Sequence, residues 1–211
     1  MSVYGEYRCE RRIERSRFIA TCAHTENEEE ARAFIARVRS EFPDATHNCF
    51  AFVADKTGNL MRFSDDGEPQ GTAGMPILEA IRGKKLFQTA VVITRYFGGV
   101  KLGAGGLVRA YAGCTAECLE EAEKRSYELC ARFIVTVGYE LADGLKKLIA
   151  ANGYVLSDTD YSDKVRMAIS VKASGERLFR ERITDFSAGR AVCEKTDEFF
   201  YPFPTETGAE I

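Results

Sequence analysis

Two stretches concentrate residue types that could do chemistry. The first, "FSDDGEPQGTAGMP", gathers Asp65, Asp66 and Glu68 among glycines and prolines. The second, "TRYFGGVKLGAGGLVRAY", places five glycines within the nine residues Gly98 to Gly106, with Arg95, Lys101 and Arg109 around them. A run of β-formers, "TAVVIT", precedes this loop, and the helical pattern "LVRAYAGCTAECLEEAEK" follows it. Strand, glycine loop and helix together offer an anion the unbonded N–H groups and positive dipole end of a helix N-terminus.

The loop fits neither common phosphate fingerprint. A Walker A loop needs Lys and then Ser or Thr after its last glycine, but Ala104 and Gly105 follow Gly103. The dinucleotide pattern G-x-G-x-x-G begins at Gly103 and Gly105 but meets Val108 where it needs glycine. What remains is general physics: Gly105 and Gly106 open the helix, with Gly103 just before them and Arg95, Lys101 and Arg109 flanking that point. Between Glu79 and Glu117 the chain carries six basic residues and no acidic one, although its net charge is −3. Two readings stand side by side. In one, this segment is an anion- or nucleic-acid-binding site. In the other, the glycines supply positive φ and close packing, and the basic side chains are merely solvated.

The acidic loop is equally open. Asp65, Asp66 or Glu68 could hold Mg²⁺ through one or two direct contacts plus water, or could form salt bridges and an Asx-turn. His47, in "ATHNCFAFV", lies on an expected strand where it could face the same cleft, as a general base or as a structural residue. No G-x-S-x-G elbow surrounds Ser64 and no papain-like setting surrounds a cysteine, so no catalytic set is legible. The seven cysteines show no C-x-x-C pair, which indicates reduced thiols packed in apolar surroundings. No apolar leader and no uninterrupted apolar span point to secretion or a membrane, so a cytoplasmic location is expected.

These residues must be positioned by about a dozen elements. "YRCERRIERSRFIATCAH" predicts two strands breaking near Ser16, and Asn27 caps a helix that ends before Pro43. A hairpin over "THNCFAFVADKTGNLMRFS" leads to the acidic loop, then to a short helix with Pro76 near its first turn. The long helix is expected from Gly105 to about Arg125. After it the order βαββαβ, from "ARFIVTVGY" to "RAVCEKTDEFFY", is the ferredoxin-like motif, with both helices on one face of its sheet. The expected fold class is α+β in two domains, residues 1–128 and 129–211, with "PFPTETGAEI" as a frayed tail.

Taken together, "RFSDDGEPQGTAGMPIL" and "VVITRYFGGVKLGAGGLVRAY" resemble the signature of the IMPACT, or YigZ-like, family. Gly74, Ile77, Leu78, Val92, Ile93, Arg95, Tyr96, Phe97, Gly98, Gly99, Leu102 and Gly103 match at the family's spacing, as do His47 and the loop Asp65 to Gly74. The resemblance implies a bacterial two-domain member. It implies an N-terminal domain of the ribosomal protein S5 domain 2-like class, with helices on one face of a mixed sheet. The C-terminal domain would be similar to that of elongation factor G. It also implies a role in translation regulation, with RNA, the ribosome or a translation-factor protein as partner. The alternatives are an enzyme acting on a phosphorylated small molecule or nucleotide, and a pure protein-interaction module. The C-terminal strands "RFIVTVGY" and "VRMAISVKA" lack the interleaved aromatics of a sequence-specific RNA platform.

Overall fold

The structure is a computed structural model that describes residues 1–204. Its chain divides into two compact units, Met1–Ser126 and Tyr127–Phe203. Both are α+β. No helix among the described residues is long and apolar enough to cross a membrane.

In chain order the first unit contains β1 (Ser2–Val3), β2 (Glu6–Ile13), β3 (Ser16–His24) and α1 (Glu28–Glu41). There follow β4 (His47–Val53), β5 (Met61–Ser64), α2 (Gly74–Gly83), β6 (Thr89–Tyr96) and α3 (Gly103–Glu121). The sheet order is β2-β3-β6-β4-β5, and every pairing is antiparallel. The expected break in the first strand pair is a two-residue turn at Glu14 and Arg15, both with positive φ, the geometry that matches strand twist. At the start of α1 the Asn27 side chain accepts the Glu30 N–H at 2.9 Å, and three glutamates occupy the first turn.

The expected mixed sheet with helices on one face is corrected on both counts. The strands are antiparallel throughout, and helices cover both faces. Central strand β6 reads apolar without alternation and is buried from Thr89 to Arg95, so both of its faces need cover. Val91 and Ile93 face the core formed with α2 and α3, which includes Ile77, Ile81, Leu107 and Tyr111. Ala90 and Val92 face Phe34, Ile35 and Val38 of α1. Cys114 and Cys118 are buried in the first of these cores, where they act as small apolar residues.

The last strand pairing of this unit was not legible. A strand begins at Lys124, well before the expected "ARFIVTVGY", and its first residues pair with β1 as Ser2↔Arg125 and Val3↔Lys124. This is β7 (Lys124–Val137), and the second unit continues with α4 (Tyr139–Ala151), β8 (Val155–Tyr161), β9 (Val165–Lys172), α5 (Glu176–Ser187) and β10 (Val192–Pro204). The strand order β10-β7-β9-β8 is that of the ferredoxin-like motif. Phe133, Val135, Met167 and Ile169 form one core with Leu145 and Ile149 of α4 and Phe179 and Ile183 of α5, so both helices cover one face. Of the expected frayed tail, Pro202–Pro204 lie on β10 instead, and residues 205–211 lie outside the described residues.

Because the second unit encloses its own core, a fragment of residues 127–204 is expected to fold alone and give a dispersed amide spectrum. Within it, Phe133→Ala removes a fully buried ring packed 4.9 Å from Phe179 and should lower the unfolding free energy by about 3–5 kcal/mol. Denaturant titration of the fragment measures this loss; an unchanged midpoint would contradict the assigned core.

Candidate functional site

Strand pairing sets the site. At the C-terminal end of β6, Arg95 lies opposite Phe18 of β3 and His47 of β4, on the face that α3 covers. A guanidinium there is 4% exposed and needs a counter-charge. The acidic loop supplies it: Arg95 Nη1 donates to Glu68 Oε1 at 2.5 Å, and both side chains are nearly inaccessible to solvent. Tyr111 of α3 donates its hydroxyl to the same Glu68 oxygen at 2.8 Å. Arg95 Nη2 donates to Ser16 Oγ at 3.2 Å, and the guanidinium lies over the rings of Phe18 and Phe97, 5.3 and 5.5 Å from their centroids. One buried ion pair thus ties the acidic loop to β6 and to α3.

The other acidic residues are also occupied. The Asp65 carboxylate accepts N–H bonds from Gly71 at 2.8 Å, Ala73 at 3.0 Å and Gly74 at 2.8 Å. Burial pushes its pKa up, but these bonds outweigh it and hold the carboxyl below its ordinary value. Asp66, in the left-handed region, accepts the Asn48 N–H at 2.6 Å and pairs with Arg39. Asp65, Asp66 and Glu68 thus each have protein partners, the bonds to backbone and the salt bridges that the sequence also allowed. Among the described residues no group of three or more His, Cys, Asp and Glu is arranged to hold a metal ion. Beside them, burial pushes the Cys49 thiol up to about 12, and its sulfur lies 3.0 Å from the Asp65 carbonyl and 3.4 Å from the Tyr111 hydroxyl.

His47 does face the cleft. The Asp66 carbonyl can only accept, so at 2.8 Å it takes a hydrogen bond from His47 Nδ1–H. That leaves Nε2 turned toward Glu68 Oε2, 3.9 Å away.

The glycine loop starts with a close approach. A Cβ on Gly98 would fall 2.1 Å from the Arg15 backbone, so only glycine fits where the loop crosses the β2–β3 turn. Helix α3 begins at Gly103, two residues before the expected start, and Gly103 has φ +70°. Gly105 and Gly106 are inside the first turn with ordinary φ, and a Cβ on Gly105 would meet nothing closer than 3.6 Å. No side chain caps this N-terminus.

Two hollows flank the loop. One, of about 400 Å³, is lined by His47, Glu68, Arg95, Phe97, Leu107 and Gly103, among others. The second, about 620 Å³, is lined by Arg11, Glu14, Gly106 and Arg109. Lys101 and Leu102 line both. Arg95, Lys101 and Arg109, which flank the loop in the sequence, therefore do not converge on one point. Lys101 and Arg109 share the second hollow, while Arg95 is sunk in the first and neutralised by Glu68. Nor is the basic run one patch: Lys84 pairs with Glu120, while Arg82 and Lys85 line a separate hollow near Gly58.

Comparison with known proteins decides the family. A family profile described as "Impact N-terminal domain" matches residues 14–119, and one described as "Domain of unknown function (DUF1949)" matches residues 135–190. A protein named IMPACT family member YigZ, from Escherichia coli (strain K12), is 36% identical over 84% of this chain and 88% of its own. The chain belongs to the IMPACT family. A second IMPACT family member, YvyE of Bacillus subtilis (strain 168), is 35% identical over 85% of this chain and 82% of its own. One from Thermus thermophilus is 43% identical over 86% of this chain and 99% of its own. A crystal structure described only as that of a hypothetical protein matches with TM-score 0.61 and 33% identity, covering 93% of this chain and 96% of that one. In this IMPACT family chain, sequence reasoning did not assign Tyr111, Ser16 or Cys49 to the candidate site, and it named Phe97 only as part of the family signature. It had also missed the aromatic row Phe199, Tyr201 and Phe203 of β10, with Arg132 and Lys172 set against its outer two rings.

The depressed Asp65 carboxyl gives a pH-dependent contribution. It is present above the unfolded value, about 3.9, and lost as pH falls through the lower folded value. Asp65→Asn should thus lower the urea midpoint at pH 7, and the gap to the parent should close as pH falls below about 4. An equal gap at both pH values would show that the loop does not depend on that charge.

Proposed function

We propose that this IMPACT family member is a cytoplasmic, RNA-associated regulatory protein of the translation apparatus that grips phosphate through its first unit. The observation that carries the reading is the open hollow beside α3. Lys101 and Arg109 are exposed there, and neither has an ion-pair partner among the described residues. They stand beside the uncapped N-terminus of a 19-residue helix, whose dipole adds to their field. Arg11 lines the same hollow but is partly balanced by Glu117 at 3.0 Å. Such a surface attracts a phosphate backbone without reading sequence. A second reading, binding of a phosphorylated metabolite, is supported by the adjoining hollow of about 400 Å³, a size suited to a small molecule.

Titration of single-stranded RNA against salt distinguishes these. For the RNA reading, Lys101→Ala and Arg109→Ala should each weaken binding of every sequence. Each should also reduce the slope of log K against log salt by about 0.7. Salt-independent or undetectable RNA binding by the parent would overturn it.

A further inference from the structure

The thiols between α3 and the β2–β3 pair play no part in gripping phosphate, yet three of them meet. Strand register sets Cys9 opposite Ala20 and Tyr7 opposite Cys22. All four side chains pack on the core that α3 covers, so Cys9 and Cys22 are diagonal neighbours on one face. Cys118 of α3 sits over this square. Its sulfur lies 3.6 Å from Cys22 Sγ, 3.6 Å from the Ala20 carbonyl and 3.9 Å from the Tyr7 carbonyl. The Cys118 thiol also hydrogen-bonds Cys9. Cys22 and Cys118 are fully buried, whereas Cys9, on the edge strand β2, is partly exposed.

The two ends of the Cys9–Cys118 contact differ in reactivity, because a cysteine reacts as its thiolate. The hydrogen bond from Cys118 holds the Cys9 thiol below its ordinary pKa, with Arg11 assisting and burial, Glu117 and Glu121 opposing. Cys118 moves the other way: its contacts with Cys22 and Cys9 and its burial favour the protonated form. Burial pushes Cys49 and Cys114 up to about 12 and raises Cys130 and Cys193. The accessible thiol of the cluster is thus its nucleophile, and a buried thiol stands against it.

We propose that Cys9 is a site of reversible oxidation by hydroperoxides, with Cys118 as the thiol that closes it into a disulfide. In the first step the Cys9 thiolate attacks a peroxide oxygen. An S–O bond forms, the O–O bond breaks and the second oxygen leaves with the electron pair, so the sulfur is oxidised to a sulfenic acid and the peroxide is reduced. In the second step the Cys118 sulfur attacks Cys9. The S–S bond forms, the S–O bond breaks, and the departing hydroxide takes the Cys118 proton to leave as water. A dithiol reverses the bond by exchange. The disulfide fastens the edge strand β2 to α3, the two elements that carry Arg11 and Arg109 into the second hollow.

Peptide mass mapping of the whole chain after treatment with hydrogen peroxide tests this without any variant. The expected products are a sulfenic acid at Cys9, trapped by dimedone at short times, and then an intramolecular Cys9–Cys118 disulfide that dithiothreitol removes. Before oxidation, iodoacetamide should label Cys9 about tenfold faster than Cys193, which is also partly exposed but has its thiol raised by burial. Cys9→Ser should abolish the disulfide, and Cys118→Ala should let the Cys9 sulfenic acid accumulate. If Cys118→Ala does not fold, the time course of the parent chain decides alone. Cys9 left unmodified while Cys193 oxidises would overturn the proposal. So would a Cys22–Cys118 bond that forms equally well in Cys9→Ser, or Cys9 bonded only between two chains.

Discussion

The site depends on one buried ion pair, Arg95 with Glu68. Arg95 lies near the end of β6, which is buried from Thr89 to Arg95, where an unbalanced guanidinium would not be tolerated. Glu68 comes from a loop with no regular structure of its own. Taking both charges out of water is expensive, and the attraction offsets that cost only with good geometry and further hydrogen bonds. Tyr111 and Ser16 supply them, from the helix on one side and the hairpin on the other. An exposed pair would contribute about 0–1 kcal/mol, whereas breaking a buried one by removing a partner costs about 3–5 kcal/mol. The pair is thus strong enough to fix where the acidic loop sits.

That placement has consequences on each side. Asp65 and Asp66 become internal fasteners, one closing the loop on its own N–H groups and the other joining it to Asn48 and to Arg39 of α1. Glu68 keeps one oxygen toward a hollow, opposite His47. Gly98 lets the next loop pass against Arg15, which carries Lys101 to the ridge between the two hollows. Arg109, unpaired among the described residues, lines one of these hollows and the compensated Arg95 the other.

The elements were largely legible because their periodicities are clean. The Asn27 cap, the βαββαβ order and the strand–glycine–helix sequence each have a local signature. Facing was less legible. The unbroken apolar run "AVVI" required cover on both sides of β6, but the implied one-face arrangement hid this. The start of β7 at Lys124 was invisible because "KRSYELC" is polar and becomes a strand through pairing with Ser2 and Val3, more than a hundred residues away. In the site, the residue types were readable and their pairings were not. Arg95, Lys101 and Arg109 look alike in a charge count, and only burial separates the first from the others. Its partner Glu68 lies outside the window in which the basic residues were counted, as does Glu120, the partner of Lys84.

A double-mutant cycle on the unfolding free energy tests the role of the ion pair most directly. Glu68→Met and Arg95→Met remove one charge each, and the double variant removes both at similar volume. The expected result is strong coupling: each single change costs about 3–5 kcal/mol because it leaves one buried charge alone, and the double costs clearly less than their sum because it leaves none. Single effects that add within about 0.5 kcal/mol would mean that Glu68 and Arg95 are neighbours only, and that something else holds the acidic loop against β6.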